Sequence, residues 1–110
     1  MEYRFEQIDD VLKVTVEGRL VAVYSEAFKE AILTRMNDCK NILFDLSGMS
    51  HIDSSGLGAL VFLLQKANAS GGAVKLACLQ PRPKIVFDIT KVFRVFEIFD
   101  SVDEALASFK

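Results

Sequence analysis

Asp53-Ser54-Ser55-Gly56-Leu57-Gly58 places a carboxylate, two hydroxyls and two glycines within six residues. An apolar run that reads as a strand (41–46) precedes it, and an apolar run of helical length (57–69) follows. The hexapeptide therefore falls at a strand-to-helix junction. The first turn of a helix has backbone N–H groups without partners and carries the positive end of the helix dipole. Ser and Asp side chains cap such a turn, and an anion such as a phosphate is well placed there. A glycine inside a helix costs about 1 kcal/mol relative to alanine, so two in one turn need a reason in packing or access. Here they would let the helix lie close to the sheet and leave the hydroxyls open to a partner. Ser54 can serve as a capping hydroxyl or as a group modified by another protein. Ser55 can be a first-turn hydroxyl or a competing acceptor. Asp53 can cap the helix or orient the Ser54 hydroxyl.

Other chemistry has less support. A serine hydrolase needs a base and a G-x-S-x-G elbow, and the sequence around Ser54 is not of that form. His51 is the only histidine and reads as a solvated loop side chain. Cys39 and Cys78 lack metal-ligand spacing, and no second histidine helps them, so neither a metal nor a cofactor is expected. Cys78 lies in the apolar run 74–79 and reads as a buried thiol on a strand. Arg82, Lys84, Lys91 and Arg94 cluster in one segment, which suits a solvated face or a contact surface for an acidic partner.

The elements that must position the motif follow from the rest of the chain. Its 110 residues suit one domain, here 1–110. With 51% hydrophobic and 25% charged residues it can build a core and is no candidate for disorder. A net charge of −2 disfavours nucleic acid and anionic membranes as partners. No apolar run reaches the roughly 20 residues of a membrane helix. No signal peptide is legible at Met1-Glu2-Tyr3-Arg4, and the expected compartment is the cytoplasm. Residues 3–8 and 11–16 alternate as strands around an Asp9-Asp10 turn, and Gly18 is expected to end the second strand. Ser25 is expected to cap a helix carrying Phe28, Ile32, Leu33 and Met36 at helical spacing. Strand 41–46 is apolar at nearly every position and is expected to be central. Helix 54–69 stops at Ser70-Gly71-Gly72, and strand 74–79 follows. Pro81 and Pro83 open a third helix that fades near Lys91. A short strand (95–99) leads to a last helix (102–109) with Ser101 and Glu104 in a capping-box pattern. The order is β-β-α-β-α-β-α-β-α, an α/β fold with a mixed sheet of about five strands and about four helices.

The hexapeptide, with Asp45-Leu46-Ser47-Gly48 ahead of it, resembles the STAS domain of bacterial anti-sigma-factor antagonists, which carry a D-L-S…-D-S-[ST]-G-L-G segment. The resemblance covers nearly the whole chain in element order, with residues 43–61 specific to the motif. It implies a protein that catalyses nothing and works by docking. Asp53, Ser54, Ser55, Gly56, Leu57 and Gly58 would form the docking face. The partner would be an anti-sigma factor of the serine-kinase type, which phosphorylates Ser54. A PP2C-type phosphatase would reverse the modification. No small-molecule substrate, nucleic acid or membrane insertion is implied.

One departure stands out. After the second strand, antagonists usually read G-[ED]-[IL]-D, whereas this chain reads Gly18-Arg19-Leu20-Val21. Arg19 could instead pair with Asp53 or with a phosphate, and His51 could join it as a secondary contact. The change also makes room for a STAS module that docks constitutively, as a subunit of a lipid-transport ATPase complex or a regulatory part of an anion transporter. A response-regulator receiver fits poorly, because a strand follows Asp9-Asp10 where a receiver needs a helix.

Overall fold

The computed structural model describes residues 1–110. Strands β1 (Glu2–Ile8) and β2 (Val11–Leu20) form an antiparallel hairpin around Asp9, whose φ is 53°. Helix α1 (Ala22–Met36), β3 (Asn41–Ile52), α2 (Ser54–Ala69), β4 (Ala73–Ala77), α3 (Pro81–Thr90), β5 (Glu97–Phe99) and α4 (Val102–Ser108) complete the expected order. A single 3-10 turn (Val92–Arg94) joins α3 to β5. The five strands lie side by side in chain order, β1-β2-β3-β4-β5, and every pairing after the hairpin is parallel.

Alternation along the strands divides the side chains between two faces. Leu12, Val14 and Val16 of β2, Ile42, Phe44 and Leu46 of β3 and Leu76 of β4 join Phe28, Ile32, Leu60, Leu63 and Phe87 in one core of twenty buried residues. Phe28 is its hub, edge-on to Tyr3 at 5.3 Å and tilted against Phe44 at 5.8 Å. Alpha-helix α4 covers part of the other face through Ala105, which packs with Val11, Leu43 and Ala77. Lys75, largely buried beneath α4, gives its ammonium to the Ser108 carbonyl and hydroxyl at 3.0 and 2.9 Å and pairs with Glu97 at 3.2 Å. No helix is long and apolar enough to cross a membrane.

Four local expectations are corrected. Gly18 does not end β2. Its φ of 92° absorbs a register shift, and the strand continues to Leu20. Ser25 does not cap α1. The helix starts at Ala22 with Val21 at the capping position, and Ser25 is buried in the first turns, donating to the Ala22 carbonyl at 3.3 Å. Strand β3 runs to Ile52, so Asp45-Leu46-Ser47-Gly48 lies within it. Strand β4 stops at Ala77. Cys78 follows at φ 61°, half-buried, its thiol 3.6 Å from the Asp100 carbonyl, so it is neither on a strand nor fully buried.

The core makes a direct prediction. Phe44→Ala removes a fully buried ring and should lower unfolding free energy by about 3–5 kcal/mol. Ile89→Ala, at a position 75% exposed, should change it by less than about 0.5 kcal/mol. Urea unfolding midpoints of the two variants check this contrast.

Candidate functional site

Strand β3 outruns β4. Its pairing with β4 ends at Asp45↔Ala77, while its pairing with β2 continues to Leu20↔Ile52. The last residues of β2 and β3 thus form a two-stranded extension beyond the sheet, and the motif sits at its tip. Only Asp53 separates β3 from α2, with an extended backbone (φ −117°, ψ −175°) suited to a cap.

The Asp53 carboxylate serves two helices. Oδ1 accepts from the Gly56 N–H at 2.9 Å and caps α2. Oδ2 accepts from the Ala22 N–H at 3.0 Å, at the start of α1. Val21, at the capping position of α1, has no side-chain acceptor, and Asp53 supplies one from the end of the neighbouring strand. The Gly56 hydrogen bond above all holds the Asp53 carboxyl below its ordinary range; burial pushes the other way, and the Ala22 N–H adds a further, lesser lowering.

Because Asp53 caps the helix, the serines do not. Ser54 and Ser55 are exposed in the first turn, and their hydroxyls make no hydrogen bond within the chain. Asp53 accepts from two backbone N–H groups and makes no hydrogen bond to the Ser54 hydroxyl, so it does not orient that group. Nor does it pair with Arg19, which is exposed and forms no ion pair. Asp45 accepts from the Ser47 N–H at 3.1 Å, a local turn bond within β3.

The two glycines have different reasons. Gly56 is buried, and a Cβ there would run into the Leu20 carbonyl oxygen and crowd Ile52. It sets the close approach of α2 to the β2–β3 tip. Gly58 is exposed, and a Cβ there would meet nothing within 4 Å. Its cost to the helix is not repaid inside the fold. Leu57 is buried and anchors α2 from below. The exposed part of the hexapeptide is therefore Ser54, Ser55 and Gly58, with Asp53 half-buried behind them.

His51 is not a loop residue. It is the last residue but one of β3, in register with Arg19. Arg82 of α3 donates to His51 Nε2 at 3.0 Å, which leaves Nδ1–H to donate to Ser50 Oγ at 2.9 Å. Of the other basic residues expected to cluster, Lys84 pairs with Asp88 at 2.9 Å and Arg94 lies 6.0 Å from the Phe93 ring, while Lys91 is exposed and unpaired. The sequence reading missed Phe62. It stands two turns along α2 from Ser54, 39% exposed, with Lys29 Nζ 4.6 Å from its ring. The spacing Ser54, Gly58, Phe62 marks one helix stripe and was the available signal. The largest cavity, about 750 Å³, lies away from the hexapeptide, between α3 and the ends of β4 and β5 around Cys78, Phe87, Phe93 and Phe99. Burial foremost, with the Asp45 carboxylate nearby, pushes the Cys78 thiol up and away from a reactive thiolate.

The contrast between the glycines is measurable. Gly58→Ala should stabilise the protein by up to about 1 kcal/mol, whereas Gly56→Ala should destabilise it by about 1–3 kcal/mol. Asp53→Ala should cost about 1 kcal/mol or more, since two helices lose an acceptor. A carboxyl with a lowered folded pKa contributes stability that is present above its unfolded pKa and lost as pH falls through the folded one. The gap between wild type and Asp53→Ala should therefore close in acid, and denaturant midpoints across pH 2 to 7 test it.

Comparison with known proteins places this geometry. A family model described as the STAS domain matches residues 2–105. An anti-sigma F factor antagonist of Paenibacillus polymyxa is 27% identical over 110 residues, covering 96% of this chain and 92% of that protein. The crystal structure of tm1081 from Thermotoga maritima superposes with a TM-score of 0.92 at 26% identity, over 97% of this chain and 93% of that one. Structures of SpoIIAA, an anti-sigma factor antagonist, share the fold in the unphosphorylated form (TM-score 0.75, 20% identity, 97% and 96% covered) and the phosphorylated form (0.77, 19%, 99% and 100%). With its β3–Asp53–α2 junction and a family match over nearly its whole length, this chain belongs to the STAS domain family, among relatives named anti-sigma factor antagonists.

Proposed function

We propose that this protein is an anti-sigma-factor antagonist working by partner switching in the cytoplasm. Unmodified, it docks the exposed first turn of α2 on an anti-sigma factor of the serine-kinase type, and the sigma factor is released. Phosphorylation of Ser54 by that kinase ends docking, and a PP2C-type phosphatase restores it. The protein itself catalyses nothing. The observation that carries this reading is the free Ser54 hydroxyl: it is exposed at a helix N-terminus whose capping duty Asp53 has already taken. A phosphoryl group adds about −1.5 to −2 charges and three acceptor oxygens. The helix end tolerates that charge, so the fold survives while the docking surface gains negative charge. Ser55, one residue further into the helix, is the alternative acceptor.

A second reading is favoured by one feature. Val21 and Arg19 stand where antagonists usually carry acids, and a module without those acids suits a constitutive docking subunit, as in a lipid-transport ATPase complex.

Intact mass of the protein from its own cells under several growth conditions, with peptide mapping across residues 41–66, separates the two. Partner switching predicts a hydroxylamine-stable phosphoryl group on Ser54 whose occupancy varies with condition and disappears in Ser54→Ala. An unmodified protein in every condition supports the constitutive subunit instead.

A further inference from the structure

We propose that the groove between α2 and the end of α3 seats an apolar side chain of the kinase partner, with carboxylates of that partner meeting Lys66 and Lys91. The proposal rests on the partner-switching reading above and specifies the chemistry of the docking face. The groove, about 480 Å³, begins at Ser54 and runs past Gly58, Val61 and Phe62 to Thr90 and Val92. Gly58 leaves a notch in its wall that nothing in this chain fills. Phe62 forms the ridge beside the notch and keeps 39% of its surface exposed. Leu57, Val61, Phe62 and Val92 give the groove an apolar lining, with Ser54, Gln65 and Thr90 at its edges, which suits an aliphatic or aromatic side chain.

The charges around the groove select its occupant. No acid lines it. Lys66 follows Phe62 by one turn of α2, and Lys91, with φ 60°, stands between Thr90 and Val92. Both ammonium groups are exposed and have no ion pair or hydrogen bond within the chain. A second copy docking face to face would set these lysines against each other, whereas a partner with carboxylates beside its apolar side chain complements them. The same arrangement accounts for release. A phosphoryl group on Ser54 puts negative charge at the mouth of the groove, facing a partner that brings its own.

Ser54 occupancy in cells provides a test that does not require the kinase to be known in advance. Wild type, Gly58→Leu and the double variant Lys66→Glu/Lys91→Glu are expressed in the native host, and each is checked for wild-type-like thermal unfolding. Both variants should lose Ser54 phosphorylation tenfold or more, and Lys66→Arg/Lys91→Arg should retain it. The double variant leaves the Ser54 hydroxyl and the notch untouched, so its loss would report the carboxylate contact rather than a blocked acceptor. Wild-type occupancy in either Gly58→Leu or the double glutamate variant would overturn this proposal and leave partner switching standing. Absence of phosphate from wild type in all conditions would overturn both. Sedimentation of wild type as a dimer that Gly58→Leu disrupts would also overturn it, by assigning the groove to a second copy.

Discussion

One carboxylate holds this architecture at its working end. Asp53 ends the β3 extension, caps α2 with one oxygen and completes the start of α1 with the other. Two helices that meet the sheet from separate crossovers therefore share a single acceptor. The arrangement works only because the approach is close: Gly56 has no side chain to strike the Leu20 carbonyl, and Gly18 lets β2 continue far enough to put that carbonyl there. Removing any member loosens the others, since the cap, the helix approach and the strand extension are parts of one geometry.

That shared acceptor also explains how the chain manages without an acid at position 21. A capping residue at the start of α1 would be expected to satisfy its own helix, and Val21 cannot. The contribution comes instead from Asp53, 31 residues beyond the Ala22 N–H that it accepts from. Its consequence for the serines is direct. With the cap filled, Ser54 and Ser55 have no structural duty, and their exposure does not compete with any bond the fold needs.

Much of this was legible in the sequence, for reasons that differ by element. The alternation in 11–16 and the apolar run in 41–46 reported strands because local periodicity and burial agree there. The helix start at Ser54 was legible because Asp-Ser-Ser-Gly is a local signal. The extension of β3 to Ile52 was hidden, since Ser47, Gly48 and Ser50 have weak strand preference and are held by pairing with β2. Ser25 misled because a capping hydroxyl and a buried helical serine look alike until the start of the helix is known. The double role of Asp53, the His51–Arg82 contact and the groove beside Phe62 all join residues distant in sequence, and no local pattern encodes them.

The strand order has a further implication for how the molecule is made. Spatial order and chain order coincide across all five strands. As the chain leaves the ribosome N-terminus first, the hairpin can close on its own, and each later strand then finds its neighbour already in place. No strand has to be threaded between two others. The last strand to arrive, β5, is only three residues long. The edge that forms last is thus too short to recruit the strands of nascent chains nearby.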